Sequence, residues 1–119
     1  PMLFGTEIFI GSMRTPLFGH QGLCGLGGIF IEVLKDVQSS LAPIGIKEAK
    51  QMIKKLRGYK IIQGVRGQDP VNEDLYADQI ARVSALVQAA PEIAEMDLNP
   101  LLGSPTAVVA VDARIRIEK

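Results

Sequence analysis

The sequence predicts an α+β domain, a mainly antiparallel sheet with two helices on one side. Three observations lead there. Strand-like, β-branched stretches open and close the chain, apolar residues at helical spacing fill its middle, and Gly, Pro or Asn marks the boundaries. The order that results is β-β-(β)-α-α-β-β within one domain, residues 1–119.

Residues 3–13, Leu-Phe-Gly-Thr-Glu-Ile-Phe-Ile-Gly-Ser-Met, are rich in strand formers, and Pro16 and Gly19 end them. A second strand is expected from Gln21 through Gly25-Leu26-Gly27-Gly28 into 29–34, with the glycines marking a bulge or a close backbone approach. Asp36 to Ala42 gives a third, short strand before Pro43. From Lys47 the period changes: Ala49, Met52, Ile53 and Leu56 lie at helical spacing, and Gly58 is the expected stop. Gly64 to Pro70 is loop chemistry. Asn72 suits a helix N-cap, with Glu73 and Asp74 in the first turn. Tyr76, Ile80, Val83, Val87 and Ala90 then mark an apolar face that Pro91 ends. Two alternating strands follow, 94–102 and 107–117, joined by Gly103-Ser104-Pro105-Thr106.

Composition removes several classes of function. Thirteen basic residues balance thirteen acidic ones, so no net field draws nucleic acid or an anionic membrane. Four Phe, two Tyr and no Trp leave no basic–aromatic stripe for stacking bases. Cys24 is the only cysteine, so there is no internal disulfide and no Cys/His zinc cluster. No apolar run has the length of a membrane span, and Pro1-Met2-Leu3-Phe4 does not open a signal peptide. The cytoplasm is the expected location, and the opening proline suggests a longer parent chain.

The chemistry gathers at the last two strands. If Leu102 lies opposite Ala107, Asp97 lies opposite Asp112, with Asn99 one pair nearer the turn on the same face. A slip of one residue would send these side chains to opposite faces. Facing carboxylates repel unless a cation or a proton intervenes. Two carboxylates and an amide oxygen are hard ligands suited to Mg²⁺, which completes its shell with water and phosphates. Arg114, two residues on, can meet a phosphate bidentately. The competing reading is an ordinary polar outer face, with Asp97 paired to Arg114 or Arg116. Spacing does not separate the two.

Specific motifs then point to a family. Glu-Met-Asp-Leu-Asn-Pro-Leu (95–101), followed by Val-Val-Ala-Val-Asp-Ala-Arg-Ile (108–115), resembles the end of the ATP-grasp module of NDP-forming acyl-CoA synthetases, the relatives of the succinyl-CoA synthetase β subunit. Gly5-Thr6-Glu7, Phe18-Gly19, residues 25–36 with their Gly-Leu-Gly-Gly start, Leu41-Ala42-Pro43 and Gly64-Val65-Arg66-Gly67 look like that family too. The resemblance implies the C-terminal ATP-grasp lobe, with Asn99 and Asp112 at the metal positions and Asp97 in close support. It also implies that Mg·ATP or ADP is bound between two lobes, and that phosphate moves through a phosphohistidine to an acyl phosphate that CoA captures. The partners implied are an N-terminal ATP-grasp lobe and the CoA-binding and phosphohistidine domains, without which this lobe is expected to be inactive.

Arg66, Arg114, Gly27, Gly28 and Glu7 are the candidates for contact with the nucleotide's phosphates. Each also has a plainer reading: loop ordering for Arg66, a bulge for the glycines, an exposed strand carboxylate for Glu7. Glu32 and Asp36 read as solvated acids. Thr15-Pro16 stands where the family usually has Asp-Pro, and His20 where it has proline. His20 reads as a solvated loop histidine, since the family's phosphate carriers lie in other segments, and Cys24 as a packed thiol. A non-catalytic nucleotide-sensing module, inside a regulatory or acetyltransferase-fused protein, is the alternative. Pairing of an open sheet edge with another chain is a third possibility.

Overall fold

The strand-forming first segment folds as a hairpin. β1 (Thr6–Thr15) pairs antiparallel with β2 (Gly19–Leu26), with Ile8 opposite Leu26 and Ile10 opposite Cys24. The tight connection is held by Thr15, whose hydroxyl accepts from Phe18 N–H and donates to Gly19 O, both at 2.9 Å. Gly19 sits there at φ +78°, a conformation that favours glycine. These are coordinates of a computed structural model that describes residues 5–28, 35–65 and 67–118. The expected continuation of the second strand through 29–34, Glu32 included, lies outside the described residues.

β3 (Val37–Leu41) extends the sheet beyond β2. Three helices follow, one more than expected: α1 (Ile46–Lys54), α2 (Tyr59–Gln63) and α3 (Glu73–Ala89). The additional short helix starts at Gly58, where the sequence suggested a stop. Asp36 explains this. Its carboxylate is buried and accepts from Arg57 N–H and Gly58 N–H, each at 2.7 Å, so donors at the start of α2 are satisfied from a distant loop. Asp36 is therefore not the solvated acid that was expected. At α3 the expectation holds: Asn72 Oδ1 accepts from Leu75 N–H at 3.0 Å.

β4 (Ile93–Gly103) returns beside β1, and β5 (Val108–Ala110) and β6 (Ala113–Ile117) both pair with β4. The sheet runs β3-β2-β1-β4-β5, with β6 further along β4, and every pairing is antiparallel. One face carries Ile8, Ile10, Cys24, Leu26 and Leu101 into a core shared with Ile53, Tyr76 and Ile80 of the helices. Each such buried side chain contributes about 1.5–3 kcal/mol of transfer free energy. The other face has no helix against it among the described residues. Within those residues no helix is long and apolar enough to cross a membrane.

The last strand departs from the expected pattern. Residues 107–117 are not one strand but two, broken at Val111 and Asp112, and β4 has its own irregularity, since Ile10 faces Leu98 while Ile8 faces Leu101. The faces change at that level. Val109 pairs with Leu102 on the open side, whereas Ile115 pairs with Met96 on the helix side. The apolar row expected to enter the core is instead largely exposed: Val111 and Ile115 are each 52% accessible and Ile117 59%. α3 packs mainly over β1 and β2.

Candidate metal and phosphate site

The open face is read from its cross-strand neighbours, which share a side of the sheet. Successive rows place Glu7 beside Leu102, Gly11 beside Asp97 and Met13 beside Glu95. From β6, Arg114 faces Asp97 and Arg116 faces Glu95. Arg116 closes an ion pair to Glu95 Oε1 at 2.9 Å and another to Glu118 Oε1 at 2.6 Å.

The expected pairing of Asp97 with Asp112 is corrected by two residues. Gly103, not Leu102, begins the ladder, opposite Val108, because Ser104 closes a wider turn. Ser104 N–H donates to Ala107 O at 2.8 Å, and its hydroxyl oxygen accepts from Ala107 N–H at 3.2 Å. Arg114 therefore stands opposite Asp97, the neighbour that the competing reading named. Asp112 itself falls in the break between β5 and β6, outside both ladders. Asn99 N–H donates to Asp112 O at 3.3 Å, which brings the backbones of the metal candidates Asn99 on β4 and Asp112 in the β5–β6 break together.

Partial burial raises the Asp97 carboxyl above its usual range; Arg114 pulls it down, while Asp112 and Glu95 push it up. Asp97 thus lies within range of two other carboxylates and one guanidinium. Arg114 Nε is 3.7 Å from Asp112 Oδ2, at the outer limit of an ion pair, and its side chain is 82% exposed. An exposed pair of that geometry contributes little and yields readily to a stronger partner. Among the described residues no three of His, Cys, Asp and Glu form a metal cage. Two carboxylates and an amide nevertheless make an oxygen donor set that fits Mg²⁺, an ion that usually takes only one or two protein carboxylates.

The glycine turn adjoins this face. Gly27 N–H donates to Glu7 O at 2.8 Å. A Cβ on Gly28 would overlap Glu7 Oε2, so the Glu7 carboxylate lies over the turn. Gly28 has φ +61° and Gly27 is buried. Glu7, Gly27 and Gly28 therefore form one group at the end of the β1–β2 hairpin. Arg66 lies outside the described residues.

His20 is a second correction. It sits on β2, not in a loop, and is buried with Nε2 2.6 Å from Ile93 O. Cys24 is buried as expected, and burial pushes its thiol up to about 12.

Sequence reasoning missed the Tyr76 hydroxyl, which rises from α3 through the helix side of the sheet to the backbone of Phe9 and Gly25. Its one signal was a polar tip in an otherwise apolar helical row.

Comparison with known proteins agrees with this architecture. The ATP-grasp domain model matches residues 1–117. The chain is 44% identical over 111 residues to the β subunit of ADP-forming acetate–CoA ligase I from Pyrococcus furiosus, covering 93% of this chain and 48% of the relative. It is 44% identical over 119 residues to the β subunit of ligase II from the same organism, covering 97% and 50%. The chain thus spans about half the length of these β subunits. Among solved structures it resembles acetyl-coenzyme A synthetase 1 of Ca. Korarchaeum cryptofilum in complex with coenzyme A, Ca-AMPCP and HgCl⁺. That match has a TM-score of 0.94 at 39% identity, over 98% of this chain and 51% of that one. Another structure of that enzyme holds coenzyme A and Mg-AMPPCP, with its phosphohistidine segment pointing towards the nucleotide-binding site, and matches at a TM-score of 0.92 and 39% identity over 98% of this chain and 55% of that one. This chain belongs to the ATP-grasp domain family, in the form found in ADP-forming acetate–CoA ligases.

Proposed function

We propose that this chain is the C-terminal ATP-grasp lobe of an ADP-forming acid–CoA ligase, and that its open face binds the metal and phosphate end of the nucleotide. The parent reaction interconverts acyl-CoA, ADP and phosphate with acid, ATP and CoA through a phosphohistidine. The observation that carries the reading is the backbone bond from Asn99 N–H to Asp112 O, which brings the β5–β6 break against β4 two residues from Asp97.

Asp112 and Asn99 would hold a Mg²⁺, with Asp97 in support, and the ion would supply neutralisation of charge on phosphoryl oxygens. Arg114, freed from its loose contact with Asp112, takes a phosphate oxygen. Gly27 and Gly28 let the backbone come close to the phosphates, while Glu7 fixes the shape of the turn. Arg66, a candidate by the family resemblance, would add a further anion contact. No covalent work falls to this lobe. The histidine that carries phosphate, the CoA site and the other half of the nucleotide cleft belong to partner domains in a cytoplasmic enzyme, and the lobe alone is inactive.

Turnover tests this directly. The complete protein, given acetate, ATP, CoA and Mg²⁺, is expected to release ADP and phosphate in step with thioester, while the 119-residue chain alone gives none. Nucleotide binding by the complete protein without thioester formation would favour a sensing module instead. Robust thioester formation by the isolated chain would overturn the assignment to a single lobe.

A further inference from the structure

Tyr76 is fully buried on α3, yet its phenol ends among backbone polar groups of the sheet. Its Oη donates to Phe9 O at 2.7 Å and accepts from Gly25 N–H at 3.1 Å, with Gly25 O 3.2 Å away. A hydroxyl has one proton, and the shorter distance assigns it to Phe9 O. Phe9 and Gly25 are cross-strand partners in β1 and β2. One side-chain oxygen therefore ties the two strands together at the last paired level but one before Gly27 and Gly28.

The same level is sterically closed. A Cβ on Gly25 would collide with Asp36 O of the neighbouring segment and stand 2.8 Å from Phe9 Cε1. Glu7 lies two residues before Phe9, and Gly27 two after Gly25, joined by the bond from Gly27 N–H to Glu7 O. The glycine turn and the Glu7 carboxylate thus extend from a strand pair fixed on its far side by Tyr76. Ser84, one helix face away, gives a useful contrast: its buried hydroxyl accepts from Ile44 N–H at 2.7 Å and touches no part of this group.

We infer that Tyr76 is a positioning residue for the nucleotide, setting the Gly25–Gly28 turn and Glu7 from the opposite side of the sheet. The inference rests on the functional reading above. Tyr76→Phe keeps the ring in the core and deletes only the hydroxyl, whereas Ser84→Ala deletes a buried hydroxyl of comparable structural weight elsewhere.

In the complete enzyme, Tyr76→Phe is expected to raise the KM for Mg·ATP roughly tenfold, since small misplacements of binding groups carry costs of that order. The KM for the acid should stay within about twofold, because the acid lies outside this group. Ser84→Ala should lower Tm without moving either constant. Equal Tm losses in both variants with an unchanged nucleotide KM would make Tyr76 merely structural and overturn the inference. Wild-type enzyme with no saturable nucleotide dependence would instead sink the functional reading, and this inference with it. Should Tyr76→Phe fail to fold, amide exchange in the wild type decides. Gly25 and Gly27 N–H protected like Cys24 support the tie, and exchange as fast as in the Gly67–Gln68 loop refutes it.

Discussion

Asn72 offers a sharp test of how the helical layer is fastened to the β4–β5 turn that sets the register of the site. Its Oδ1 caps α3 by accepting from Leu75 N–H at 3.0 Å, its Nδ2 donates to Pro105 O at 3.1 Å, and its backbone N–H donates to Ser104 O at 2.9 Å. Asn72→Ala removes the first two and leaves the third. The lost cap costs about 1 kcal/mol, and the partly solvated bond to Pro105 adds about 0.5 kcal/mol. Asn72→Ser keeps a capping oxygen but is too short to reach Pro105, so it should lose only about 0.5 kcal/mol. Urea unfolding with unchanged m-values reads the difference, and the alanine variant should melt roughly 4–8 °C below wild type. Equal losses in the two variants would refute the cap as the main contribution, and an alanine variant as stable as wild type would refute both contacts.

Asp36→Ala should be more damaging, by about 3 kcal/mol, because two N–H groups at the start of α2 lose a buried, charged acceptor at once, and thermal unfolding measures it; a loss under about 0.5 kcal/mol would contradict the role given to that carboxylate. Cys24 supplies a pH dependence. Burial holds its thiol protonated in the native state up to about 12, against 9.0 for the free group, so the folded chain binds more protons than the unfolded chain in that window. Stability should therefore fall as pH rises above about 9, and Cys24→Ala should show a shallower fall whatever its offset at neutral pH. Parallel curves for the two proteins would refute this, and so would rapid alkylation of native Cys24 at pH 8.

Local signals made much of the fold legible. Asn72 was readable as a cap because its partner is three residues away. β1 announced itself through its strand-forming residues, α1 and α3 through periodicity, and the motifs of 25–28 and 95–101 carried the family. Long-range partners were not legible. Asp36 and His20 looked solvated because the groups that bury them, at Arg57, Gly58 and Ile93, lie far off in sequence. The register of the final hairpin depended on how Ser104 closes its turn, a matter of two hydrogen bonds that alternation alone does not encode. The break at 111–112 hid behind an unbroken alternating pattern. As for the site, the sequence singled out Asp97, Asn99 and Asp112 and offered Arg114 as one possible partner of Asp97, but spacing alone did not choose between Arg114 and Asp112 as the residue opposite it.

The Mg²⁺ requirement of nucleotide binding tests the central claim most directly. In the complete protein, Asp112→Asn should raise the Mg²⁺ concentration needed for half-maximal ATP binding at least about tenfold, as loss of a charged oxygen ligand implies. Its metal-free Tm should remain near that of wild type, because Asp112 is exposed, its ion pair is loose, and asparagine keeps an oxygen for the bond from Ala113 N–H. An unchanged Mg²⁺ requirement in a folded Asp112→Asn protein would contradict a metal site at this hairpin.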